Sequence, residues 1–288
     1  MIAPPCHPGP PRALRIASLA CRAHPLRLRL RGGRPFDRVV AEAFAEQGFE
    51  AGYLRLHDVG MARIDYVRPA PAPAPGHGPV AWYSATRRLA PARIAEAGVH
   101  LGRRGGTPFV HGHGLWRGAD EDAVRMGHLL GPECHLDAEI EAEGWGLRGA
   151  MFSVEADAET GFSLFAPQGV ADPKDGLAND PAGGLPAVLC ALRPHVDLHA
   201  GLAEAAARHG LQRARIEGLG SLVGATFADA TDLDSLATEM LVAQGEMQAG
   251  RARISAAAIG FDGGPSRGLL REGGNAICVT GELLLIGN

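Results

Sequence analysis

Three histidines near the middle of the chain offer the clearest chemistry. His111 and His113 lie in Pro-Phe-Val-His-Gly-His-Gly, and His128 lies in Met-Gly-His-Leu-Leu. Alternate residues of a β-strand point to one face, so His111 and His113 are expected side by side. The turn-rich acidic segment Arg117-Gly-Ala-Asp-Glu-Asp122 could fold a hairpin that returns His128 beside them. Three neutral imidazoles on one wall suit a divalent metal, zinc first, and leave a coordination position open. Such a site serves catalysis or ligand sensing better than structure. A general base would have to come from nearby. Asp137, Glu139 and the loop Asp120-Glu121-Asp122 are candidates by proximity alone, and the loop reads first as a solvated hairpin. His135 is a possible fourth imidazole of undetermined direction.

The elements that must position these residues are written twice. Residue n matches n + 162 over about forty residues. Leu30-Arg31 falls on Leu192-Arg193, Ala41-Glu42-Ala43 on Ala203-Glu204-Ala205, and Gly48 on Gly210. Further on, Gly98 matches Gly245, Val110 matches Ile254, Gly127 matches Gly268 and Glu139 matches Glu282. The surplus in copy one is the Pro-Ala-rich insertion 68–79, read as a polyproline-like loop. Each copy opens with a strand (26–30; 188–192), continues with a helix (36–47; 198–209) and proceeds through Gly-punctuated strands. In copy two these fall at 213–216, 224–228, 239–243, 253–259 and 277–285; copy one ends in a strand over 134–142. One helix followed by many strands predicts α+β, with a mainly antiparallel twisted sheet in each of two tandem domains. The expected boundaries are a disordered N-terminus 1–11, domain one 12–166, a Pro/Gly-rich linker 167–184 and domain two 185–288.

Composition narrows the class. The chain has 288 residues, 46% apolar, with a formal net charge of −4, a poor balance for coating nucleic acid. Residues 12–38 hold eight arginines against Asp37, but Arg27 and Arg29 alternate with Leu26, Leu28 and Leu30 as in a strand with one wet face. No aromatic residues interleave with Arg27 and Arg29 to stack bases. Arginine replaces lysine almost throughout, which with the Ala, Gly and Pro content suggests a GC-rich bacterial genome. Five scattered cysteines without a Cys-x-x-Cys pair argue against a disulfide framework or zinc knuckle. No apolar run suits a membrane span or a secretory signal, so the expected compartment is the cytoplasm. His195 and His199 are four apart at the second helix but lack an acidic companion, and Gly260–Gly264 reads as a hairpin turn.

The His111-Gly-His113 strand, the Gly127-His128-Leu129 segment and the small-residue turn Glu217-Gly-Leu-Gly-Ser-Leu222 resemble the PPC domain, the plants-and-prokaryotes conserved domain. Copy one has the poorer Leu56-His-Asp-Val-Gly60 at that turn. The resemblance covers nearly all of both copies. It implies an α+β domain that assembles as a trimer, and a three-histidine metal site as in some prokaryotic members. The family's customary description is DNA-binding, by association with plant AT-hook proteins. This chain has no AT-hook: Arg31-Gly-Gly-Arg-Pro35 breaks the Arg-Gly-Arg-Pro core. Copy two carries Ser255, Ala257 and Leu269 where copy one has its histidines, so the fold does not require them. The expected protein is therefore a DNA-binding or regulatory PPC protein with one metal site. The alternative is a metal-dependent enzyme or small-ligand sensor using the open position.

Overall fold

The computed structural model describes residues 5–73, 79–170 and 183–288. Strands dominate. The first half runs β1 (Ile16–Leu30), α1 (Phe36–Glu46), β2 (Gly52–Val67), β3 (Pro69–Pro71), β4 (Ala81–Tyr83), β5 (Arg87–Leu89), β6 (Ala92–Arg104), β7 (Thr107–Gly118), β8 (Arg125–Leu129), β9 (His135–Leu136), β10 (Ile140–Arg148), β11 (Ala150–Ala156) and β12 (Ser163–Gly169). The second half runs β13 (Leu185–Leu192), α2 (Leu198–Arg208), β14 (Arg213–Leu222), β15 (Thr238–Gln248), β16 (Arg251–Ile259), β17 (Ser266–Leu269) and β18 (Ile277–Gly287).

Both helices follow from apolar spacing. α1 buries Phe36, Val39, Val40, Ala43 and Phe44, and α2 buries Leu198, Leu202, Ala205 and Ala206, the stripe of a helix lying on a sheet. Asp197 caps α2 by accepting a hydrogen bond from the Ala200 N–H at 3.0 Å. Each helix stops before a left-handed glycine, Gly48 at φ 80° and Gly210 at φ 71°.

The ladders repeat as the sequence does. β10 pairs with β1 and β2, β2 with β6, β6 with β7, and β7 with β8. In the same order β18 pairs with β13 and β14, β14 with β15, β15 with β16, and β16 with β17. These ladders are antiparallel. β1 and β13 then pair with each other, from Ile16↔Leu192 to Ala23↔Leu185, and join the halves into one sheet. One apolar cluster lies under α1 and another under α2. Two more span the seam: Tyr53, Phe152 and Phe165 with Leu189 and Leu284, and Leu115 and Met126 with Leu219 and Leu241.

Several expectations are corrected. Of the expected disordered N-terminus, residues 1–4 lie outside the described residues, while Pro5 and His7 are buried and His7 Nε2 lies 2.8 Å from the Cys278 carbonyl oxygen. Of the expected polyproline-like loop, Pro69–Pro71 pairs with β4 and residues 74–78 lie outside the described residues. The expected linker begins inside β12, since residues 167–169 pair with β11; its residues 171–182 lie outside the described set. Residues 134–142 are not one strand, because the chain leaves the sheet at 137–139 between β9 and β10. No strand forms at 224–228, where Ala225 and Phe227 make only isolated bridges. The small-residue turn 217–222 lies within β14 and carries a bulge. Gly218 there adopts φ 142°, and a Cβ would meet the Glu282 carbonyl oxygen at 2.2 Å, so only glycine permits the approach. The register also moves one internal match. Arg29 pairs with Glu141 and Ala191 with Glu282, so Glu141, not Glu139, stands where Glu282 stands.

Candidate metal centre

The β7–β8 hairpin brings the three histidines together. His113 lies directly opposite His128, and His111 is two residues up the same face. Ring centroids are 4.9 Å apart for His111 and His113, 4.7 Å for His111 and His128, and 5.6 Å for His113 and His128. One nitrogen from each ring lies within 4.8 Å of the others, and this is the only such group of metal-ligating side chains among the described residues. Gly127 lets the hairpin settle: a Cβ there would meet the Val67 carbonyl oxygen at 2.2 Å.

The ring orientations are set by the other half of the chain. His111 Nδ1 donates to Glu282 Oε2 at 2.5 Å, and His113 Nδ1 donates to the Met240 carbonyl oxygen at 3.0 Å. Both protons being on Nδ1, the Nε2 lone pairs face one another at 3.3 Å. A proton on one Nε2 satisfies that contact as a hydrogen bond, and a metal ion between the two satisfies it as a shared ligand pair. Two imidazoles bound to one tetrahedral zinc at about 2.0–2.1 Å stand about 3.3–3.4 Å apart, so the spacing fits. Among the described residues, His128 Nδ1 is buried without a hydrogen-bond partner. Burial, then the neighbouring His111, pushes the His113 ring down to about 3 and the His128 ring well below the usual histidine range. Burial thus disfavours the charged form of His113 and His128, as ligation requires.

The cluster lies in a cleft of about 220 Å³ between the halves. Glu239 borders it, its Oε1 4.0 Å from His113 Nε2. Both Glu239 oxygens are buried without a partner among the described residues, and burial pushes this carboxyl well above the usual range. Thr238, Ser221 and Thr280 add hydroxyls, and Trp82, Tyr83, Phe109 and Phe165 supply apolar wall.

The acids proposed from proximity are elsewhere. Asp120, Glu121 and Asp122 are exposed, with Glu121 paired to Arg125. Glu139 pairs with Arg29, and Asp137 sits exposed beside Gly60. His135 lies opposite Arg63 in the β9–β2 ladder. His195 and His199 do not converge: His195 Nε2 donates to the Pro5 carbonyl oxygen at 2.9 Å. The carboxylates that do reach the histidines, Glu239 and Glu282, come from the second half. Their signal was a lone acid inside an apolar strand, Glu239-Met-Leu-Val-Ala and Gly281-Glu-Leu-Leu-Leu-Ile, where burial demands a partner or a purpose. In the second half Ala257 lies opposite Arg267, not Leu269, so the expected match of Ser255, Ala257 and Leu269 to His111, His113 and His128 does not keep the cross-strand register; Ser255 faces Leu269, and this strand pair has no imidazoles.

No protein-family model and no curated protein sequence matches the chain. Solved structures do match about half of it. A metal-containing protein from Archaeoglobus fulgidus is 21% identical, with 50% of this chain and 94% of that one covered, at a TM-score of 0.37. A plant- and prokaryote-conserved (PPC) protein from Pyrococcus horikoshii is 16% identical over 52% of this chain and 96% of its own, at 0.38. A protein from Ralstonia eutropha JMP134 named "Putative DNA-binding protein" is 12% identical over 49% and 89%, at 0.37.

Proposed function

We propose that the chain is a small-molecule-binding protein whose cleft holds one divalent metal, zinc, on His111, His113 and His128, and that it acts as a metal-dependent enzyme or ligand sensor. The observation that carries this is the pair of Nε2 atoms at 3.3 Å with both Nδ1 atoms engaged elsewhere. A bound zinc would supply Lewis acidity to a ligand oxygen or nitrogen in the cleft. The chain's own residues do the rest. Glu282 fixes the His111 ring and raises its basicity, the part a carboxylate plays behind a ligating histidine. Glu239 holds a proton at the cleft wall, and the aromatic side chains limit water.

The domain reading behind this is two tandem PPC-like α+β domains, the first ending with β12 at Gly169 and the second beginning with β13 at Leu185. The repeated ladder order and the resemblance of the His-x-His and Gly-His-Leu segments support it. By the same resemblance the chain assembles as a trimer, and its scattered free cysteines fit the reducing cytoplasm. No helix among the described residues is long and apolar enough to cross a membrane. Light scattering at micromolar concentration tests the trimer, and a mass of one chain would refute it.

The cleft reading is preferred to duplex binding on the arginines of residues 12–38. Arg12 pairs with Asp157, Arg15 with Glu159, Arg29 with Glu139, Arg31 with Glu46 and Arg34 with Glu42. Phosphate contacts would have to displace these carboxylates. Elemental analysis of purified protein tests the proposal, with about one zinc per chain expected. Absence of stoichiometric metal, or metal unchanged in the His111→Ala/His113→Ala variant, would end it. For DNA, affinity for a duplex at low salt that falls steeply with added salt would restore that reading.

A further inference from the structure

The cleft has a wall that the second half of the chain has no counterpart for. β3 and β4 form a two-stranded ladder from the surplus segment of the first half, and Pro69, Ala81, Trp82 and Tyr83 face the cleft. The ladder is fastened across the seam. Arg68 donates to the carbonyl oxygens of Gly260 at 3.0 Å and Gly263 at 3.2 Å, both in the turn after β16. It is closed at its base by the Ser84 N–H donating to the Arg68 carbonyl oxygen at 2.9 Å. Trp82 and Tyr83 are 48% and 44% exposed, and the Tyr83 ring lies 5.5 Å from the His128 ring, so apolar wall runs up to the histidines.

Across the cleft stands Arg104. Its guanidinium carbon sits 3.9 Å over the centroid of the Phe109 ring, and both residues line the cleft. No carboxylate pairs with Arg104 among the described residues, whereas its chain neighbour Arg103 pairs with Glu50. An arginine stacked on an aromatic ring keeps its fork of N–H donors free for a planar anion. The same cleft contains Glu239 and Glu282. Among the described residues Arg104 is the one arginine lining it and no lysine does, so the cleft matches a single carboxylate rather than a multiply charged anion such as a phosphate ester.

We infer that the cleft selects a small monocarboxylate with an apolar, aromatic-sized body, its carboxylate held by Arg104 and its body laid against Trp82, Tyr83, Phe109 and Phe165. This deepens the proposed function and rests on its reading of the cleft as a ligand site, but not on the metal being present. The remaining end of such a ligand points toward the three histidines.

Calorimetric titration with 3-phenylpropanoate, and with 3-phenylpropanamide as its uncharged counterpart, tests the inference on the full chain, both zinc-loaded and chelator-treated. The expected results are saturable binding of the acid in both forms, at least tenfold weaker binding of the amide, and at least tenfold weaker binding of the acid to Arg104→Gln. Arg104 is exposed, so the variant should fold and keep its metal content. Equal affinity for acid and amide, unchanged affinity in Arg104→Gln, or no binding of the acid at millimolar concentration would each overturn it. If elemental analysis finds no metal while the acid still binds through Arg104, the metal reading fails and this inference stands.

Discussion

Glu282 is the most informative residue to change, because it ties the proposed ligands to the opposite half of the chain. Its side chain is 1% exposed and accepts from His111 Nδ1 at 2.5 Å, while its backbone carbonyl oxygen accepts from His100 Nε2 at 3.0 Å. Substitution leaves the backbone contact intact and removes only the carboxylate. In Glu282→Gln an amide oxygen can still accept from Nδ1, so the ring keeps its orientation but loses the nearby negative charge. A hydrogen bond to a charged partner contributes about 1.5–3 kcal/mol, and the neutral one about 1 kcal/mol. The loss in zinc affinity should be roughly tenfold for Gln. It should approach 100-fold for Ala, where the ring is also released, in line with the effect of carboxylates behind ligating histidines. Competition against a chromophoric zinc chelator at pH 7.5 reads the affinity, and urea unfolding of chelator-treated protein reads any stability change separately. Zinc affinity within twofold of wild type in both variants, alongside loss of zinc in His128→Ala, would show that the seam plays no part in the site.

Three further outcomes are expected. His100 is fully buried, and burial pushes its ring down to about 3. A ring depressed in the folded state contributes stability that is present above the unfolded value near 6.5 and lost as pH falls toward 3. Urea unfolding of metal-free protein should therefore show about 2–3 kcal/mol less stability at pH 4.5 than at pH 7 from this residue, a difference absent in His100→Phe. Arg55 bridges Glu96 at 2.7 Å and Glu217 at 2.6 Å across the seam. Arg55→Met should cost about 3 kcal/mol in the same measurement, the low end for a broken buried pair because Arg267 and Arg215 remain beside those acids. Asp197→Ala removes the α2 cap and should cost about 1 kcal/mol, read as a lowered melting temperature, while Asp197→Asn should cost less.

The elements that rest on local periodicity were legible. α1 and α2 lie within one residue of where apolar spacing put them, because each helix carries its own stripe and its own terminating glycine. The His-x-His pair was legible for the same reason: alternation along one strand is a local property. What failed depended on non-local ladders. The strand expected at 134–142 breaks because β9 and β10 meet β2 at different heights, which no residue inside the segment announces. Glu217–Leu222 looks like a turn by its glycines, yet those glycines admit β18 to close range and keep the segment in the sheet. The site suffered likewise. Acids near the histidines in sequence were favoured, whereas Glu239 and Glu282 arrive through the pairing of β1 with β13 and the packing of Leu115 and Met126 on Leu219 and Leu241.

The β1–β13 ladder has a consequence for dilution. Imidazoles from one half and the carboxylates that steady them from the other meet inside a single covalent chain. Had they belonged to separate molecules, the cleft would form only above the dissociation constant of the pair. Here the tether sets the local concentration of one half around the other, and that concentration does not change when the protein becomes scarce. A few copies per cell would present the same assembled cleft as a concentrated stock.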